Sequence, residues 1–194
     1  RQRRRESGER LAAEVSANMH GLGMPNGAFQ VAVQPLDEDQ TSAHGRDQVE
    51  FLVTTNPGQP PAPLSRVASG GELSRISLAI QVIGTRDSGA PSVVFDEVDV
   101  GVGGGVAEMV GRQLRALAAE RQVLCITHLP QVASQGMRHV QVSKQAEGEG
   151  TVTRILPLEG EQRVEEVARM LGGIHITDQT LAHAREMLGR GTAP

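Results

Sequence analysis

The chain has 194 residues, with 19 basic and 23 acidic side chains and a formal net charge of −4, a length that suits one domain or a large part of one. A hydrophobic fraction of 38% supports a core and argues against wholesale disorder, and no run approaches the roughly 18 uncharged apolar residues of a membrane helix. The single cysteine, Cys125, excludes a disulfide framework and a Cys-rich zinc site.

Residues 1 to about 20 read as a helix, because Leu11, Ala12, Val15 and Met19 repeat at helical spacing. The basic run Arg1, Arg3, Arg4, Arg5 precedes them; it is either a contact for DNA phosphates or the solvated end of a severed helix or coiled-coil arm. Gly21, Gly23, Pro25, Asn26 and Gly27 stop the helix. Phe29, Val31 and Val33 alternate with Gln30, Ala32 and Gln34, and Val49, Phe51 and Val53 repeat the pattern, so 28–55 reads as a hairpin around a polar loop. Four prolines make 56–63 a stiff, extended connection.

Beyond it the pattern changes. A helix is expected over 70–84, a buried strand at Val93-Val94-Phe95, a helix at 104–119 and a buried strand at 123–126. Pro130 opens a short helix. Strands at 138–143 and 151–157 flank an acidic turn at 146–150, and helices near 162–171 and 178–189 close the chain. Continuous apolar strands alternating with helices predict an α/β fold: a parallel sheet core flanked by helices on both faces, with a small helix and hairpin in front.

Three segments carry chemistry. Ser69-Gly70-Gly71-Glu72 stands at a helix start, where free N–H groups and the positive dipole end suit an anion; the alternative is an ordinary capping box, Ser69 with Glu72. Asp96-Glu97 ends a buried strand 27 residues after Ser69, where α/β sheets bind ligands. Asp96 is placed to hold Mg²⁺ and Glu97 to polarise an attacking water; each also fits a plain strand end. His128, 32 residues after Asp96, follows another strand, where it can orient water or touch a phosphate or be structural. The glycines at 101, 103, 104 and 105 do not make a dinucleotide fingerprint, since Val106 stands where the third glycine belongs.

Taken in order, these segments resemble the second half of an ABC-type ATPase: signature, Walker B strand and switch histidine. SGGELSR with FDEVD resembles the SMC-like branch, and several stretches resemble the bacterial RecN recombination-repair family within it: TNPGQPPAPLSRVASGGELSRISLAI (55–80), VVFDEVDVGVGG (93–104), ITHLPQVASQG (126–136), VSK (142–144), EEVARMLGG (165–173) and TLAHAREML (180–188). The resemblance implies the C-terminal half of an ABC/SMC-type ATPase head, with 1–20 as the end of a coiled-coil arm and 21–194 as the head lobe. It implies Asp96 as the Mg²⁺-binding aspartate, Glu97 as the catalytic glutamate and His128 as the switch histidine. It implies Ser69, Gly70, Gly71 and Glu72 as the signature that meets ATP held by the opposite subunit, and Asp99 in the segment that communicates across the dimer. Gly103 stands where many SMC proteins carry a further aspartate, so that residue's role does not transfer.

A P-loop needs G-x-x-x-x-G-K-[ST]. The only lysine, Lys144, lies in Val142-Ser143-Lys144-Gln145, so the chain has no such motif. The resemblance therefore implies partners: the N-terminal half of the same protein to supply Walker A, a second head in an ATP sandwich, and DNA. The chain starts Arg1-Gln2-Arg3, with no Met and no signal peptide; this reads as a cytoplasmic piece of a longer protein, and the family implies a bacterial, nucleoid-associated one. With no Trp or Tyr, base stacking is not its main mode of binding nucleic acid. Two other readings stay open: a non-hydrolysing DNA-binding or dimerisation scaffold, and a transporter ATPase, which Glu72 in the signature disfavours.

Overall fold

Apolar residues at helical spacing build the first helix, α1 (Gln2–Gly21), which buries Gly8, Val15 and Met19. The computed structural model describes residues 1–40, 43, 45–67, 69–96, 98–147, 150–173 and 175–192. Ala68, Glu97 and residues 148–149 of the expected acidic turn lie outside the described residues. The chain divides into two compact units, Arg1–Val93 with Val100–Val102, and Val94–Asp99 with Gly103–Pro194.

In the first unit α1 packs on strand β1 (Ala28–Pro35). Gly8 permits the approach: a Cβ there would lie 3.1 Å from Val31 Cβ. Ser16 Oγ accepts a hydrogen bond from Phe29 N at 2.9 Å and fastens helix to strand. Strand β2 (Asp47–Thr54) pairs antiparallel with β1, from Ala28 opposite Thr54 to Pro35 opposite Asp47, and Phe29 stacks tilted on Phe51 at 5.2 Å. The proline-rich connection ends as a short edge strand, β3 (Ala62–Pro63), against Val53 and Leu52; an edge tolerates proline's missing N–H. Helix α2 (Gly70–Asp87) runs three residues past its expected end. It buries Ile76, Leu78, Ala79, Val82 and Ile83. The basic run is not simply solvated: Arg1 Nε and Arg4 Nη1 donate to Asp47 at 2.7 and 3.1 Å, and the Arg1 bond foremost holds that carboxyl below its usual range.

The second unit begins within strand β4 (Ser92–Phe95), at Val94; β4 and β5 (Gln122–Cys125) form a two-stranded sheet. Ile126 N donates to Phe95 O at 2.9 Å, which brings the C-terminal ends of both strands together, as in a parallel pair joined by a helix. That helix is α3 (Gly104–Leu117), with Ala107, Val110, Gly111, Leu114 and Leu117 buried. The expected cover on both sheet faces is not found. Phe95 is buried, yet Val94, Leu124 and Ile126 are 62, 49 and 58% exposed. The apolar run reads as doubly buried, but among the described residues only one face is packed.

A single-turn helix, α4 (Pro130–Ala133), leads to an antiparallel hairpin, β6 (His139–Glu147) and β7 (Gly150–Leu158). Helices α5 (Gly160–Gly172) and α6 (Asp178–Thr192) close the unit around Val164, Val167, Ala168 and Ala184. Two arginines hold the turn after α4: Arg115 Nη1 donates to Gln135 O at 2.9 Å, and Arg163 Nη2 donates to Ser134 O at 3.3 Å and to Gly136 O.

The buried Glu166 accepts from Arg169 Nε and Nη2, both at 2.7 Å, and from Gln141 Nε2 at 2.6 Å. The Arg169 bond, more than any other contact, lowers its pKa below 4.5. A carboxylate depressed in the folded state contributes stability that is full above its unfolded value and is lost as pH falls through its folded value. Urea unfolding of the native chain should therefore weaken below about pH 4.5; Glu166→Gln should flatten that acid limb and lower stability at neutral pH.

Candidate functional site

A helix with a serine before it and two glycines at its start should leave N–H groups free for a partner. Ser69 is the N-cap of α2, and its Oγ accepts from Glu72 N at 3.4 Å. The capping bond of the capping-box alternative is thus present, with Glu72 in the first turn. The two glycines differ. A Cβ on Gly70 would meet nothing within 4 Å, so that side of the helix start is open. A Cβ on Gly71 would lie 2.5 Å from Gly101 O. Gly101 itself has φ +72° and sits against the Gly71 backbone, its own ideal Cβ 3.1 Å from Gly71 N. Gly71 therefore serves a backbone approach inside the first unit, while Ser69 and Gly70 face solvent.

Asp96, Asp99, Thr127 and His128 belong to the second unit. Asp96 directly follows β4 and is exposed. Glu97 lies outside the described residues. Asp99 is 2% exposed; its carboxylate is turned to its own chain. Thr127 Oγ1 donates to Asp99 Oδ2 and accepts from Leu129 N at 3.0 Å. His128 has a largely exposed ring, and its Nδ1 lies 3.5 Å from the same Asp99 oxygen. The structure thus brings Asp99 and His128 together, with Thr127 as the link. Thr127 went unassigned in the sequence; the signal was a hydroxyl beside a strand-end histidine.

Cys125 is pushed up to about 12, by burial first and by the Asp99 and Asp96 carboxylates after it. It stays a protonated thiol and is no nucleophile. Lys144 is exposed within strand β6, a setting unlike a phosphate loop before a helix. Gly103 is the extended N-cap of α3, in open space. Among the described residues, no three His, Cys, Asp or Glu side chains gather as a metal cage, and no helix is long and apolar enough to cross a membrane.

No family model matches the chain. The comparison with curated proteins is decisive. The DNA repair protein RecN of Vibrio cholerae is 52% identical over 174 residues, covering 90% of this chain and 31% of that protein. RecN of Xylella fastidiosa is 47% identical over 183 residues, covering 92% of this chain and 33% of its own length. The chain belongs to the RecN family. It spans about a third of the length of the RecN proteins it matches. A solved structure from work on ATP-driven dimerization and DNA-stimulated activation of SMC ATPases is 18% identical, with a TM-score of 0.64, covering 88% of this chain and 96% of that one. A solved Smc head domain derived from Pyrococcus yayanosii is 21% identical, with a TM-score of 0.65, covering 82% of this chain and 28% of that one, so the fold of this segment is that of an SMC head.

The glycine pair gives a stability test within this RecN segment. Gly71→Ala should lower the urea midpoint by an amount worth about 1–3 kcal/mol, because backbone at 2.5 Å must move. Gly70→Ala, in open space, should stay within about 0.5 kcal/mol of the native chain.

Proposed function

We propose that the chain is the C-terminal half of an SMC-like ATPase head that acts in recombinational repair of DNA double-strand breaks. Residues 1–20 are the end of the coiled-coil arm, and 21–194 are the head lobe. The observation that carries the reading is the meeting of the β4 and β5 ends through Phe95 and Ile126. It sets Asp96 and the Thr127–His128 pair at neighbouring strand ends of an α/β sheet, the place where such sheets take ligands.

In this reading Ser69, Gly70, Gly71 and Glu72 form the signature that meets ATP held by the opposite head. The open side at Gly70 supports it, since a helix start with free N–H groups favours an anion. Asp96 holds Mg²⁺. That ion takes one or two carboxylates and fills its shell with phosphate oxygens and water, so one exposed strand-end carboxylate suits it. Bound there, Mg²⁺ would neutralise phosphate charge. Glu97 orients the attacking water, His128 faces the phosphate, and Asp99 lies in the segment that communicates across the dimer.

The phosphate cradle comes from the N-terminal half of the same protein, because the sole lysine is Lys144. The exposed Val94, Leu124 and Ile126 support a partner on that sheet face; strands of the N-terminal half cover them. Two heads then close on two nucleotides, and DNA is the partner that the family's repair role implies. Two of the four leading arginines are engaged by Asp47, so the basic run adds little to DNA contact.

The chain alone should hydrolyse no ATP. In the full-length protein, Glu97→Gln should lower turnover by about 10²-fold or more and hold ATP-bound dimers, while Ser69→Arg should abolish ATP-dependent dimers in light scattering. Turnover by the isolated chain that Glu97→Gln removes would overturn the reading. Dimers that form without hydrolysis in every variant would favour the scaffold alternative.

A further inference from the structure

Asp99 is the most deeply buried carboxylate of the described site, 2% exposed. An ionised carboxylate only accepts hydrogen bonds, so each polar group that closes on it must bring a proton. The Thr127 hydroxyl has one proton, and Leu129 N already donates to its oxygen at 3.0 Å. Two acceptors lie in reach of that proton, Asp99 Oδ2 and, at 3.5 Å, Leu129 O; the carboxylate oxygen is the nearer, and the proton goes to it. His128 Nδ1 lies 3.5 Å from that same oxygen. This geometry turns the Nδ1 side of the imidazole toward the buried carboxylate. The other nitrogen, Nε2, is left on a ring that is 72% exposed.

We propose that Asp99 is a positioning residue for His128: with Thr127 as its clamp, it keeps the neutral ring protonated on Nδ1 and presents Nε2 as the free nitrogen at the strand end. A carboxylate behind a histidine fixes its tautomer and its orientation in just this way. An exposed histidine with no such partner favours the opposite tautomer, with the proton on Nε2. The inference rests on the proposed place of His128 at the nucleotide. It adds what prepares the ring, and it gives Asp99 a task within its own head.

The test uses the full chain with ¹⁵N-labelled histidine, at a pH at which the ¹⁵N shifts show the rings to be neutral. His128→Gln identifies the resonance among the six histidines. Long-range nitrogen–proton correlations then report which ring nitrogen is protonated. The native chain should show His128 mainly as the Nδ1–H form. Asp99→Ala should reverse the ratio, and Thr127→Val, which keeps the shape but deletes the donor, should shift it part-way. Amide spectra confirm that each variant is folded. A native ring that is mainly Nε2–H, or a set of folded variants in which neither substitution moves the ratio, overturns the assignment. No nucleotide enters the measurement, so failure of the ATPase reading and failure of this one are separate results.

Discussion

A carboxylate withdrawn from water must find its donors within its own chain. Asp99 does so across a wide sequence gap, through Thr127. That need disciplines the second unit around the site. The Phe95–Ile126 bond aligns the strand ends, the Thr127 hydroxyl reaches back to Asp99, and its oxygen turns the chain through Leu129 into α4. His128 inherits its place from these bonds, because its neighbour is already tied on one side and its ring meets the same oxygen on the other. Cys125 registers the same field: the Asp99 and Asp96 charges help to keep its thiol protonated.

The Ser69–Glu72 segment follows a different constraint, that of space. Two adjacent glycines look alike in a motif, but they do different things. At Gly71 the Gly101 carbonyl comes so near that a methyl group has no room, and Gly101 takes a positive φ that glycine adopts without strain. At Gly70 nothing approaches. One glycine is therefore part of the packing, and the other leaves a clear surface at the positive end of an 18-residue helix.

Val94, Leu124 and Ile126 leave one face of the β4–β5 pair and the residue after it open to solvent. Apolar side chains at Val94, Leu124 and Ile126 belong to a pattern selected for burial, and continuous apolar strands of this kind are costly to leave in water.

Local pattern settled a good deal before any coordinates. Apolar periodicity located the five long helices and both hairpins, since side-chain spacing and backbone period are the same geometry, but it did not mark the short 3-10 turns at Glu38–Gln40 and Leu64–Arg66. Turn residues marked the breaks, and the apolar runs put Asp96 and His128 just after strands, where the structure has them. Long motif runs pointed to the family that the comparisons bear out. What local pattern could not convey were relations between distant residues: Arg1 and Arg4 on Asp47, Gly71 under Gly101, one covered sheet face instead of two, and Thr127 on Asp99. Each depends on which segments meet once the chain has collapsed. Hydrophobic spacing says that a side is to be buried, and only the tertiary structure decides against what, and with which hydrogen-bond donor beside it.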